Sequence, residues 1–339
     1  MAASAYEAAI AYDDAPADWH YRLGRVYERT RRAHAARRAY RTGLARTTDS
    51  TALDHQLLAD SHQRFPARRR IGGFIEGRLD DIRRQALEDQ HPVEARPPRV
   101  YVYWSQGMAD APPVVRRCHD ELLSHHAPEE VVVLDETSLS RFVEIPVDVR
   151  RKVGSNWTKL SDIIRLELLS RYGGVWIDAT CLVRTRVLDV TPGLLTSGFF
   201  AFSQRSSWPS TWFLASEPNN YTIALWRRAQ YTYWQHFDTP IDYYILHHIF
   251  EALYHLDGEF RARWDATPTL STRPAHAFKR AMHEPYEAER FRRLLDGSFV
   301  HKLTYKRMSQ HVSNEEGTGT LLTRLVNCGS MADPACRAG

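Results

Sequence analysis

One stretch, SDIIRLELLSRYGGVWIDAT from Ser161 to Thr180, constrains the fold more than any other part of the chain. Ile163, Ile164, Leu166 and Leu169 recur at helical spacing, and Ser161 stands where an N-cap would. Gly173-Gly174 then end the helix, because glycine tolerates the positive φ that a helix stop requires. Val175-Trp176-Ile177 read as a short buried strand with Asp178 at its exit. A helix turning at once into a buried strand is the building unit of an α/β sheet, whose ligands gather beyond the carboxyl ends of the strands. Asp162 and Arg165 are three residues apart and share one helix face. Taken alone, they read as an ion pair on a surface helix, which carries little energy.

The flanking segments extend the α/β pattern. Pro92, Pro97 and Pro98 in HPVEARPPRV break helical periodicity and mark a boundary. Val100-Tyr-Val-Tyr-Trp104 follows as a buried strand ending at Ser105-Gln106-Gly107. A helix opening on Pro112-Pro113 and a second strand, Val131 to Leu134, complete a βαβ unit. Further on, aromatic helices around Trp226, Trp234 and Tyr244 dominate. Asp242, just after Pro240, reads first as a helix cap and second as an acid facing an acceptor. His247 and His248 are adjacent and cannot share a helix face, so a helical metal pair is not formed. The run Phe299 to Lys306 mixes apolar residues with His301, Lys302 and Lys306 and reads as a solvated strand edge.

The N-terminal part has a different character. Ala2, Tyr6 and Ala9 recur 34 residues later as Ala36, Tyr40 and Gly43, around a Leu23-Gly24 and Tyr27 spacing that resembles a tetratricopeptide repeat. A lone repeat cannot bury its own apolar face, so it is expected to stack on helices over residues 51–62 and 74–89, either as a cap or as a groove for a protein partner. Of the 45 cationic residues only five are lysine, and all five lie after residue 150. The formal charge of +4 resides in residues 1–99, too diffuse for nucleic acid but compatible with an anionic membrane surface. With 339 residues, 43% of them hydrophobic, the chain can bury a large core. No run has the length of a membrane span or the apolar centre of a signal peptide, so a cytoplasmic location, or a peripheral one at the inner membrane surface, is expected. The four cysteines lack C-x-x-C spacing and suggest neither a disulfide framework nor a zinc site.

The segments KLSDIIRLELLSRYGGVWIDAT, VYVYWSQGMADAPPVVRRCHDELLSHH, PIDYYILHHIFEALY and FVHKLTYK together resemble the capsular polysaccharide synthesis proteins, which are similar to the D-x-D sugar transferases of glycosyltransferase family 32. The resemblance spans roughly residues 99–307. It implies an α/β GT-A (Rossmann-like) nucleotide-sugar transferase domain over residues 96–327, after a helical TPR-like region over 1–95 and before a tail over 328–339. It also implies a hexosyltransferase-type enzyme that moves a sugar from a nucleotide-diphosphate donor to a glycan or other hydroxyl acceptor. By this resemblance Asp178, Asp162 and Arg165 are catalytic. Trp104, Ser105, Gln106 and Gly107 form the base wall, and Lys159, Ser161, Gly174, Trp176, Ile177 and Lys302 complete the donor site. Asp242 faces the acceptor, and Asp178, Thr180 and His301 hold Mn²⁺ or Mg²⁺. One departure stands out: the second acid of D-x-D is Thr180, a hydroxyl without charge, which weakens a metal site. Two other readings stay open, a non-catalytic nucleotide-binding adaptor that recruits partners through its helical repeat, and a transferase acting on protein or a small natural product.

Overall fold

The computed structural model describes residues 2–11, 17–30, 32–45, 66–92, 96–205, 208–306 and 319–328. Seven strands form among them: β1 (Val100–Tyr103), β2 (Val131–Leu134), β3 (Gly174–Ile177), β4 (Cys181–Val183), β5 (Phe199–Arg205), β6 (Trp208–Ser216) and β7 (Val300–Lys302). Five build a mixed sheet in the order β2-β1-β3-β6-β5. β1 lies parallel to both β2 and β3, while β6 runs antiparallel to β3 and to β5. β4 and β7 make a separate antiparallel pair that matches Cys181 with Lys302 and Leu182 with His301. The architecture is therefore mixed α/β, as expected.

The described residues group into two units. The α/β unit comprises Leu79–Thr239 and Asp257–Gly339, so it begins earlier than the expected boundary at residue 96 and is interrupted by a helical segment. Its core joins Val100, Val102, Val175, Ile177, Phe200, Phe213, Val300 and Leu303, all essentially inaccessible to solvent. The helix Trp157–Tyr172 packs on β1, β3 and β6 and also on the helix Tyr221–His236. Being covered on two sides, it buries Leu160, Ile164 and Leu168 along with Asp162, Arg165 and Glu167. This corrects the expectation of a surface helix. Its N-cap is Asn156, whose side chain accepts from the Lys159 amide, whereas Ser161 lies one turn inside.

At the end of this helix Gly173 and Gly174 have φ of 64° and 89°. A Cβ on Gly174 would come within 2.4 Å of the Arg99 carbonyl oxygen, so the turn into β3 requires glycine on grounds of space as well as φ. Cys118 and Cys181 are buried free thiols.

The helical unit comprises Met1–Arg78 and Pro240–Leu256. Helices Ala17–Arg29 and Ala33–Ala45 bury Leu23, Tyr27, Ala36 and Tyr40 against each other. A Cβ at Gly24 would lie 2.3 Å from the Tyr40 ring, which is why the close helix approach needs glycine there. The expected helix over 51–62 falls outside the described residues, and the one expected over 74–89 is two helices, over 66–76 and Leu79–Glu88. Among the described residues no helix is long and apolar enough to cross a membrane.

Candidate donor site at the exit of β3

Asp178 leaves β3, the central strand, at its carboxyl end, its backbone amide still hydrogen-bonded to the Trp212 carbonyl of β6 at 2.9 Å. The chain then turns tightly, with the Cys181 amide donating to the Asp178 carbonyl at 2.9 Å, and enters β4. Three donors converge on the Asp178 carboxylate. Oδ1 accepts from the Trp176 indole at 3.0 Å and from the Arg165 guanidinium at 3.2 Å, and Oδ2 accepts from Lys302 Nζ at 2.6 Å. Trp176 reaches forward along its own strand to make this contact. Lys302 arrives from β7 and also donates to Thr180 Oγ1 at 2.7 Å.

Arg165 links the helix to the strand exit. Its guanidinium donates to Asp162 and to Ser161 Oγ, the latter at 2.9 Å, and lies over the Trp176 ring with its carbon 5.1 Å from the centroid. Lys159 adds a second cation 3.5 Å from Asp162. Lys159, Asp162 and Arg165 are buried, while the Asp178 and Lys302 side chains keep 25% and 18% of their surface in solvent, so the strand-exit end of the cluster is the accessible one.

The electrostatics separate the two acids. Burial pushes the Asp162 carboxyl above its ordinary value despite the opposing pull of Arg165 and Lys159. Burial acts on Asp178 in the same sense, but Lys302 and Arg165 outweigh it and hold that carboxyl below the usual carboxylate range. Burial would lower the Lys302 ammonium, and Asp178 instead raises it. Lys279 is held below its ordinary value by burial and by the nearby charges of Lys302 and Lys306. Cys181, next to Asp178 in this turn, has its thiol pushed up to about 12 by burial, so it supplies no thiolate at neutral pH.

The segment after β7 carries the site toward β1. The Leu303 amide donates to the Thr180 carbonyl at 2.8 Å, and two residues later Tyr305 meets Trp104 edge-on with ring centroids 5.2 Å apart. Trp104 sits at the tip of β1, and the Trp104 indole N–H has no partner among the described residues. Gly107 closes the tip with φ of 80°, its amide donating a hydrogen bond to the Trp104 carbonyl at 3.0 Å, leaving Ser105 and Gln106 at the surface of the turn.

Of the residues named from sequence, Lys159, Ser161, Asp162, Arg165, Trp176, Asp178, Thr180 and Lys302 form one connected network. Gly174 and Ile177 shape the strand from within the sheet. His301 is not part of the network: on the opposite face of β7 from Lys302, its Nε2 pairs with the Leu295 carbonyl at 2.8 Å. Asp242 belongs to the helical unit, in the turn ahead of the helix Ile245–Leu256, where it accepts from the Tyr244 amide and from His248, each at 2.7 Å. Lys279 and Tyr305 escaped sequence reasoning. For Lys279 a signal existed: of only five lysines in an arginine-rich chain, Lys159, Lys279, Lys302 and Lys306 gather around this site.

As arranged, these groups do not fit a divalent cation. Lys159, Arg165 and Lys302 face two carboxylates, which leaves one net positive charge, and every Asp178 oxygen already serves a cationic donor. Among the described residues no group of three His, Cys, Asp or Glu side chains could hold a metal. The same field suits an anion with several oxygens.

Searches of curated proteins and of solved structures return no match. A scan against protein-family models matches residues 56–324 to capsular polysaccharide synthesis protein, a span that includes β1 through β7 and every residue of the network around Asp178. The chain belongs to the capsular polysaccharide synthesis protein family.

Proposed function

We propose that this protein is a glycosyltransferase that moves a sugar from a nucleotide-diphosphate sugar to a hydroxyl acceptor in polysaccharide synthesis. The observation that carries the reading is the convergence of Arg165, Lys302 and Trp176 on Asp178 at the exit of a sheet strand. A diphosphate leaving group gains negative charge as the glycosidic bond breaks, and pre-aimed cationic donors stabilise charge that develops in the transition state. Trp104 and Tyr305 supply an aromatic edge for the base, with the indole N–H left to donate. Asp162 fixes Arg165 from the buried side, so the guanidinium presents its remaining edge to Asp178 and the ligand.

On this reading the α/β unit adopts a GT-A fold, with Asp178 as the surviving first acid of D-x-D. The divalent ion carried by D-x-D sites would supply Lewis-acid neutralisation of the diphosphate, a task the donor set here gives to amino-acid cations. The helical N-terminal unit, TPR-like in its Gly24–Tyr40 packing, serves as a contact for a protein partner or the acceptor. A screen of nucleotide sugars scored by release of nucleoside diphosphate tests the proposal; turnover of one donor class supports it, and failure of every donor to bind or turn over defeats it.

A further inference from the structure

Lys302 Nζ bridges the two oxygens through which a D-x-T motif would grip a metal ion: it lies 2.6 Å from Asp178 Oδ2 and 2.7 Å from Thr180 Oγ1. We propose that Lys302 is the resident cation of the site, taking the place of a divalent metal, so that nucleotide binding and sugar transfer proceed without one. The proposal rests on the nucleotide-sugar reading above and adds which group meets the diphosphate.

Three observations lead to it. First, the charge count changes with Thr180. Lys159 and Arg165 balance Asp162 and Asp178, so the Lys302 ammonium brings the cluster to one net positive charge, whereas a divalent ion in its place would bring it to two and one added beside it to three. Second, the ammonium is fixed by structure. The register of β4 with β7 sets Lys302 opposite Cys181, the Leu303 amide ties the next residue to the Thr180 carbonyl, and the Lys302 side chain is largely covered. A cation held in advance needs no reorganisation when the leaving group forms. Third, the remaining ligand candidate is turned away, since His301 gives its Nε2 to the Leu295 carbonyl.

The step balances without a co-reactant. The bond between the anomeric carbon and the diphosphate oxygen breaks, and its electron pair stays on that oxygen. The acceptor oxygen forms the new bond to carbon, and its proton passes to solvent. Lys302 and Arg165 meet the charge left on the released nucleoside diphosphate. Lys302 keeps its proton throughout, in line with the raised ammonium beside Asp178.

Calorimetry on the full chain with UDP, GDP, CDP and ADP, first in EDTA and then in Mn²⁺, tests the inference. The expected result is that one diphosphate binds in EDTA with a Kd that changes by no more than about twofold in Mn²⁺. Lys302→Met should weaken that binding by about tenfold or more, with Lys302→Arg closer to the wild type. Binding that requires Mn²⁺ would overturn the role of Lys302 while leaving the nucleotide-sugar reading in place. Absence of binding under both conditions would overturn both. If Lys302→Met does not fold, the wild-type comparison in EDTA and Mn²⁺ decides alone.

Discussion

Lys302 and Asp178 are 124 residues apart in sequence and 2.6 Å apart in the structure. The contact ties the β4–β7 pair to the carboxyl end of β3, the central strand of the main sheet, and places a cation against the acid of the candidate donor site. Both partners shift in the sense of a mutually stabilised ion pair, Asp178 downward and Lys302 upward.

That pair gives the stability a defined pH dependence. A carboxylate whose folded pKa is depressed contributes stability above its unfolded value, near 3.9, and loses it as the pH falls through the lower folded value. The wild type should therefore melt above Asp178→Asn at neutral pH, and the gap should close below about pH 4. Thermal melts of both proteins across this range check the expectation; a gap that widens on acidification would contradict it.

Arg165 touches Ser161, Asp162 and Asp178 at once and covers the Trp176 ring. Lysine in its place keeps the charge but cannot span three oxygens, because its ammonium is a point donor. Arg165→Lys should lower kcat/KM by about 10²-fold with the fold retained. Tryptophan fluorescence gives a second readout, since loss of the guanidinium from over the indole should change the emission of Trp176.

The turn into β3 is predicted to be intolerant. Gly174→Ala places a Cβ at φ of 89° and 2.4 Å from the Arg99 carbonyl. The substitution should destabilise the protein by more than about 1 kcal/mol, the scale at which alanine fails in a positive-φ position. Urea denaturation measures it.

Glu167 and Arg227 pair at 2.5 Å between the two packed helices, both nearly buried. Arg227→Met leaves a buried carboxylate without its cation and should cost about 3–5 kcal/mol. Adding Glu167→Gln should recover part of the loss, because the coupling then vanishes with the charge. Denaturation of the single and double variants gives the cycle.

The helix, glycine turn and strand from Ile163 to Asp178 were legible because each signal is local: helical periodicity, a φ that only glycine adopts, and a short apolar run. The Leu23, Gly24 and Tyr40 packing was legible for the same reason. What sequence reading placed at the surface, Asp162 and Arg165, is buried because the helix is covered by both the sheet and the Tyr221–His236 helix. Its charges are tolerated through pairing, which no helical wheel records. The Phe299 to Lys306 run read as a solvated edge because its true partner, β4, lies far away in sequence. Strand pairing over that distance has no periodic trace, so the arrival of Lys302 at Asp178 and of Tyr305 at Trp104 emerges only in three dimensions.

The most direct test of the central claim compares the wild type with Asp178→Asn in nucleotide release from the donor that the screen identifies. Asparagine keeps the shape but cannot hold Lys302 and Arg165 as an ion pair. The account predicts a loss of at least about 10²-fold in turnover with an unchanged circular dichroism spectrum. Wild-type turnover by a folded Asp178→Asn protein would contradict it.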